Sequence, residues 1–276
     1  MPGIEHGTVC IFGAGGPVGA VIAGLLGQHY RLRLTDIIGV SEAIARGGDP
    51  LWPAWEEAPE PPHEWHMVDV TDYRQVHQAL KGCDAAVNLV VNRSEPEAAF
   101  SLNVGGAFNI MKAAAERGLA RVVHTGVQAR TQNYEGDLRY EFEVPADAPC
   151  RPGTPLYSHS KSLGYHVVNS FAEHRGLDVV TLLLSRLRPA DRYDGRDEDV
   201  VQAFSVSWPD LARAYRCALR APEMPHPNEM FNICAPLPMG KFRCEKAKEL
   251  LGWEAEDRFE DFYTRGARAE DLWGGV

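Results

Sequence analysis

Short apolar runs alternate along the chain with longer stretches in which apolar residues recur every three or four positions. The runs Thr8–Phe12, Arg31–Thr35, Glu64–Val68, Ala85–Val90, Arg121–Thr125 and Val179–Leu184 have the length and apolar character of strands and predict six of them. Between them, Pro17–Leu26, Glu97–Arg117 and Leu156–Arg175 read as helices. Proline is tolerated in the first turn of the first helix, and Gly118 and Gly176 follow the other two as left-handed caps. Strands alternating with crossover helices imply a parallel sheet covered on both faces, so the expected class is α/β, doubly wound. Beyond about residue 185 the alternation weakens to a short strand (Phe231–Ile233) and two helices (Pro209–Leu219 and Lys241–Leu250). The expected division is a sheet domain over 1–185 and a small lobe over 186–276, with elements free to interleave across the boundary.

Composition narrows the partners. The 276 residues are 45% hydrophobic and 24% charged, values that support a sizeable core. A net charge of -10 argues against nucleic acid or an anionic membrane as the main partner. No apolar run approaches the roughly 18 residues of a membrane span, and the N-terminal residues lack the basic and apolar regions of a secretion signal. Cys10, Cys83, Cys150, Cys217, Cys234 and Cys244 form no C-x-x-C pair and are read as reduced thiols of a cytoplasmic protein. The ten histidines lack metal-ligand spacing, so no metal site is expected.

The first strand runs into G-A-G-G-P-V-G, Gly13 to Gly19, which opens the first helix. The spacing is G-x-x-G-x-x-G, through Gly13, Gly16 and Gly19. Glycines let the backbone turn sharply and approach a pyrophosphate, and the helix N-terminus offers unpaired N–H groups to the anion. Gly13, Gly15, Gly16, Pro17, Val18 and Gly19 are therefore candidates for binding a dinucleotide, in a Rossmann-type unit. A glycine turn alone is a weak signal, but Asp36 lies 23 residues after Gly13, at the end of the second strand. A carboxylate there accepts bonds from an adenosine ribose diol and repels a 2′-phosphate, which favours NAD over NADP.

The segment Y-S-H-S-K places Tyr157 and Lys161 four residues apart on one face of a helix. An ammonium near a phenol stabilises the phenolate. Tyr157 can then exchange a proton with a substrate hydroxyl while hydride moves to or from a nicotinamide, and Lys161 can also hold the nicotinamide ribose.

Together these residues resemble the extended short-chain dehydrogenase/reductase family, of the NAD-dependent epimerase/dehydratase type. The resemblance runs over nearly the whole chain. It rests on the glycine turn, D-V-T-D (Asp69–Asp72), N-L-V-V (Asn88–Val91), N-V-G-G (Asn103–Gly106), Tyr157-x-x-x-Lys161 and K-A-K-E-L-L-G-W (Lys246–Trp253). In length and N-terminal motifs the chain is similar to bacterial uronate dehydrogenases. The resemblance implies that Asp69 and Val70 meet the adenine, that Leu89 and Val90 line the ribose and diphosphate path, and that Asn103 sits in the helix backing the site. It also implies a homodimer built on the helices Glu97–Arg117 and Leu156–Arg175.

Two departures from the family pattern stand out. Where strand five of the family usually ends in Ser or Thr, V-V-H-T-G-V-Q places Gly126, with Thr125 just before it as the substitute hydroxyl donor. Where the family often has Arg on strand six, this chain has Leu183, with Arg186 and Arg188 shortly after. Arg93 (in Asn92-Arg93-Ser94), Gln128 and Arg186 are the substrate-facing candidates. His124 and His159 flank the site and read first as structural histidines. Trp52, Trp55 and Trp65 read as packing over the sheet edge, with a lid as the other option.

The function expected is an NAD-dependent oxidoreductase acting on a hydroxyl or carbonyl of a small polar molecule, a sugar or sugar acid, with Tyr157 as acid/base. A sugar epimerase that retains NAD uses the same pair and stays open. A 4,6-dehydratase is disfavoured, because that chemistry needs an acidic pair just after the strand-five Thr, where this chain has Gly126-Val127. Gly126 also keeps open a dinucleotide-binding protein with little catalysis.

Overall fold

The computed structural model describes residues 3–49, 51–131, 143–190, 204–237 and 240–259. Seven parallel strands form one sheet in the order β3-β2-β1-β4-β5-β6-β9, with β1 Thr8–Phe12, β2 Arg31–Asp36, β3 Glu64–Met67, β4 Ala85–Asn88, β5 Arg121–Val127, β6 Val179–Leu184 and β9 Asn228–Asn232. β7 (Arg186–Arg188) and β8 (Ser205–Ser207) pair separately. The chain order reverses between β1 and β4. Helices leave that point on opposite faces, so the carboxyl ends of the two strands open a crevice there.

Alternating side chains of the central strands serve two separate cores. Val9, Ile11, Val87, Val123 and Leu182 pack under α1 (Pro17–Leu26) and α7 (Trp208–Arg220), through Ile22, Leu26, Leu211 and Tyr215. Cys10, Phe12, Ala86, Val122 and Val179 pack under α3 (Tyr73–Ala79), α5 (Ala107–Arg117) and α6 (Leu156–Arg175), through Val76, Ile110, Met111, Val168 and Ala172. This strict period of two decides which way each residue of β5 faces.

Residues beyond 185 therefore contribute to the main sheet: β9 is its seventh strand, and α7 covers one of its faces. α7 covers Trp208–Arg220 and β9 covers Asn228–Asn232, close to the sequence expectation. Over the expected Lys241–Leu250 helix, the main regular element is one π-helical turn, Ala247–Leu251. Short helices α2 (Val40–Ala45) and α3 are additions to the elements expected from the sequence.

The expected helix Glu97–Arg117 is split into α4 (Pro96–Phe100), a π-helical segment Ser101–Gly106 and α5. The split lies where α6 comes closest. A Cβ on Gly164 would lie 2.1 Å from the Asn103 carbonyl oxygen. The Asn103 side chain donates to the Asn92 carbonyl at 2.8 Å and to Ser160 Oγ at 2.9 Å, and accepts from the Asn92 N–H at 3.0 Å. Widening the helix by one residue aims Asn103 at the loop after β4.

Among the described residues, no helix is long and apolar enough to cross a membrane, and no group of three or more His, Cys, Asp or Glu is placed to hold a metal ion.

Candidate active site

The glycines after β1 do different jobs. Gly13 has φ +80°, a left-handed conformation that favours glycine, and its missing Cβ would lie 3.1 Å from Val90 N. Gly19 brings α1 against the turn: a Cβ there would lie 2.2 Å from the Ala14 carbonyl oxygen. Gly16 faces open space, with no atom within 4 Å of the place its Cβ would take. It precedes Pro17 at the start of α1, where no side chain caps the helix and no acidic residue occupies the first turn. The N-terminus of α1 is thus open to an anion.

Asp36, the last residue of β2, accepts the Gly15 N–H at 2.8 Å and the Ile38 N–H at 3.3 Å. Both bonds hold the carboxylate at the rim of a cleft of about 720 Å³. Gly13, Gly16, Pro17, Val18, Gly19, Asp36, Asp69, Val70, Leu89, Val90, Arg93 and Arg186 all line this cleft, as do Trp52, Arg46 and Arg188. Most of the residues expected around a dinucleotide are therefore brought together. Gly15 supports Asp36 from behind, and Asn103 clamps the loop after β4. A glycine cradle, a capless helix end and a ribose-directed carboxylate fit NAD.

The tryptophans cross this region. Trp55 donates to the Ala14 carbonyl at 2.7 Å, Trp65 to the Ile38 carbonyl at 3.1 Å, and Trp208 of α7 to the Leu51 carbonyl at 3.0 Å. The loop thus spans from the glycine turn to α7, with Trp52 on the cleft wall.

Lys161 is buried. Its ammonium donates to the Val90 carbonyl at 3.4 Å, which ties α6 to the cleft wall. Burial, aided by the Arg93 charge, pushes its pKa down to about 8. Burial pushes the Tyr157 phenol up, and Arg93 pulls it back by charge and hydrogen bonding. The Arg93 guanidinium carbon lies 4.8 Å from the centre of the Tyr157 ring.

The end of β5 is arranged in two directions. His124 faces the α6 side, where Asn88 Nδ2 meets its Nδ1 at 3.2 Å. Asn88 Oδ1 accepts the Val90 N–H at 3.0 Å, so this pair fixes one side of the residue whose carbonyl holds Lys161. His124 Nε2 is buried without a partner, and burial beside Lys161 pushes its pKa well down. Thr125 faces the other way, and its hydroxyl is bonded to Tyr215 of α7 at 2.6 Å. Gly126 faces the α6 side again, but the space its side chain would use is filled. Leu183 Cδ2 would lie 2.6 Å, and Thr181 Cγ2 3.0 Å, from a Cβ there. Gln128 is buried against Asn232 and Cys234, with its amide 3.5 Å and 3.9 Å from their side chains. Thr125 and Gln128 are not among the residues that line the cleft.

Tyr215 lies in no motif of the sequence, and although Asn88 opens N-L-V-V, no spacing joins it to His124. The one available signal was a histidine and an asparagine inside apolar strand runs, where unpaired polar groups are costly.

A model of the NAD dependent epimerase/dehydratase family matches residues 9–207. An NAD-dependent glucose-6-phosphate dehydrogenase from Haloferax volcanii is 24% identical over 271 residues, covering 94% of this chain and 96% of the relative. An L-arabinose 1-dehydrogenase (NAD(P)(+)) from the same organism is 27% identical over 231 residues, covering 77% and 82%. Among solved structures, a mutated uronate dehydrogenase shares the fold with a TM-score of 0.75 at 24% identity, covering 98% of this chain and 88% of its own. With most of the chain matched and a cleft shaped for the cofactor, this protein belongs to the NAD dependent epimerase/dehydratase family and is an NAD-dependent enzyme.

Proposed function

We propose that the enzyme is a dehydrogenase that oxidises one hydroxyl of a small sugar or sugar acid. The observation that carries this reading is that Lys161 and Tyr157 each touch a residue of the cleft wall, Lys161 through the Val90 carbonyl and Tyr157 through the Arg93 guanidinium over its ring. The related glucose-6-phosphate and arabinose dehydrogenases support the substrate class. Bound NAD supplies the hydride acceptor. Tyr157 takes the hydroxyl proton, Lys161 holds the nicotinamide ribose, and Asp36 holds the adenosine ribose. The Gly13–Gly19 turn and the α1 N-terminus bind the diphosphate, with Asp69, Val70, Leu89 and Val90 along its path. Arg93 and Arg186 reach the substrate side of the same cleft.

The test is direct. Purified protein is mixed with NAD and a panel of L-arabinose, glucose 6-phosphate, glucuronate and galacturonate while reduced-cofactor absorbance is followed. A steady rise on at least one sugar is expected. Cofactor that stays bound through purification, with sugars interconverted and no net reduction, would favour an epimerase instead.

We also propose a homodimer through α4, α5 and α6. Phe100, Phe108 and Leu163 are exposed on these helices, and Phe108 stacks edge-on with Phe171 at 5.4 Å. A monomer by light scattering at micromolar concentration would reject this. A cytoplasmic setting is supported by the six free cysteines, and cell fractionation tests it.

A further inference from the structure

The position on β5 that faces the reaction side carries no hydroxyl, and a Cβ there would press on Leu183 Cδ2 at 2.6 Å. Gly126 is backed by Leu183 and Thr181, and the Thr125 hydroxyl is held by Tyr215 on the opposite face of the sheet. Lys161 is drawn to the Val90 carbonyl. The cation seated on the Tyr157 ring is Arg93, which also lines the cofactor cleft and is otherwise exposed.

We propose that Arg93 is a catalytic residue, its guanidinium binding the reacting oxygen beside Tyr157 in place of a strand-five hydroxyl. This rests on the dehydrogenase reading. In the oxidation, the substrate carbon loses its hydrogen with the bonding electron pair to the nicotinamide. The hydroxyl proton passes to the Tyr157 phenolate, and the C–O single bond becomes a carbonyl. Negative charge grows on that oxygen as the proton leaves, and guanidinium N–H donors bind an anionic oxygen more tightly than a neutral one. The same charge holds the Tyr157 phenol down against the effect of burial. The other titratable groups around this pair are Lys161 of α6, His124 of β5 and Tyr215 of α7.

Arg93→Met and Arg93→Lys are compared with wild type and with Tyr157→Phe. Arg93 is exposed, so both variants should fold. Arg93→Met should lower kcat about 10²-fold, with KM for uncharged L-arabinose changed less than about threefold. Arg93→Lys should recover part of kcat. The acid limb of the kcat profile should move to higher pH in Arg93→Met. So should the phenol titration, read without substrate as the absorbance difference between forms with and without Tyr157. A loss confined to KM, or to glucuronate and glucose 6-phosphate, would overturn the proposal and make Arg93 an anchor for the substrate's charge. An unmoved phenol titration would overturn it too. Full turnover by Tyr157→Phe rejects the dehydrogenase reading itself, whereas an inactive Tyr157→Phe beside a fully active Arg93→Met rejects this role alone.

A separate pair of side chains carries a second inference. Cys234, just after β9, and Cys244, before the π turn, place their sulfurs 2.9 Å apart. Cys234 is buried and Cys244 half-buried, so an oxidant reaches the pair from the Cys244 side. We infer that the pair is a site of oxidation by hydrogen peroxide. The Cys244 thiol gives up its proton, its sulfur attacks one peroxide oxygen, the S–O bond forms, and the O–O bond breaks to give a sulfenic acid and hydroxide, which takes that proton and becomes water. The Cys234 sulfur then displaces the hydroxyl, which leaves with the thiol proton as a second water. Two thiols lose two electrons, and one peroxide becomes two waters. Reduced full-length protein is treated with hydrogen peroxide, alkylated and digested. Mass spectrometry should find the two cysteine peptides linked, and Cys244→Ser should abolish the link. Two alkylated cysteines after peroxide, or a sulfinic acid at Cys244 with no linked peptide, would overturn the inference.

Discussion

The turn after β1 and the end of β5 lie at the carboxyl edge of one parallel sheet but are built in opposite ways. At the turn, the backbone is the functional surface: glycines bend it, an unfilled helix end presents N–H groups, and one carboxylate from β2 completes it. Little there depends on a distant side chain. At the end of β5, three consecutive residues are each committed by a different long-range partner. His124 is held by Asn88, Thr125 by Tyr215, and the space at Gly126 by Leu183. A motif can therefore be intact at the turn while a family hydroxyl at β5 is lost and its space filled.

The largest expected effect breaks the β5 side. Tyr157→Phe removes only the phenolic oxygen, so turnover should fall by roughly 10²–10⁴-fold, the usual worth of a positioned acid–base group. NAD affinity by fluorescence titration should stay near wild type.

The turn can be split into its structural and ligand-facing glycines. Gly19→Ala forces a Cβ to within 2.2 Å of the Ala14 carbonyl oxygen and should cost several kcal/mol of stability, read as a large drop in Tm. Gly16→Ala enters open space, so Tm should hold while NAD affinity falls about tenfold or more. Equal loss of Tm in both variants would erase the distinction.

Lys161 joins the two regions and should show a trade of stability for function. Its native pKa is pushed below the ordinary lysine value, to about 8. The unfolded chain therefore binds more protons between about pH 8 and the ordinary lysine range, and wild-type stability should rise with pH across that window. Below pH 8 the buried charge costs a few kcal/mol in full. Lys161→Met should be more stable than wild type at pH 7, with an advantage that shrinks toward pH 10.5, yet bind NAD more weakly. Denaturant melts at several pH values check this.

Thr125→Val leaves the buried Tyr215 phenol without its partner, and should cost about 1–3 kcal/mol of stability. If Arg93 supplies the donor, kcat should change less than about threefold. A loss of 10² or more would return the donor role to Thr125.

The smallest effect sharpens the turn side. Asp36→Ala removes the charge that repels a 2′-phosphate, and Arg46 lines the same cleft to receive one. The NAD-to-NADP preference should fall about tenfold in kcat/KM. Wild-type enzyme that prefers NADP would show that Asp36 does not hold the ribose.

How much was legible follows the same divide. β1, the glycine turn, Asp36 and α6 were readable at their observed places, because hydrophobic runs, glycine spacing and caps act within one or two turns of chain. The helix expected over 97–117 hid a π segment, because Asn103 is aimed by its bonds to Asn92 and Ser160, 11 and 57 residues away. β4 ends at Asn88 instead of Val90 because the Asn88 side chain caps the strand by accepting the Val90 N–H.

The sequence by itself determined the strand–helix alternation, the placement of the cofactor turn between the first strand and the first helix, and the Tyr157–Lys161 spacing on one helix. Each depends on backbone geometry over a few residues, and period and spacing encode that directly. Tertiary structure alone decided which cation sits on the Tyr157 ring, which way Thr125 points, and what fills the room beside Gly126. Those outcomes depend on side chains brought together from β4, β5, β6, α6 and α7, where close packing allows one occupant per space and no local pattern records which occupant it is.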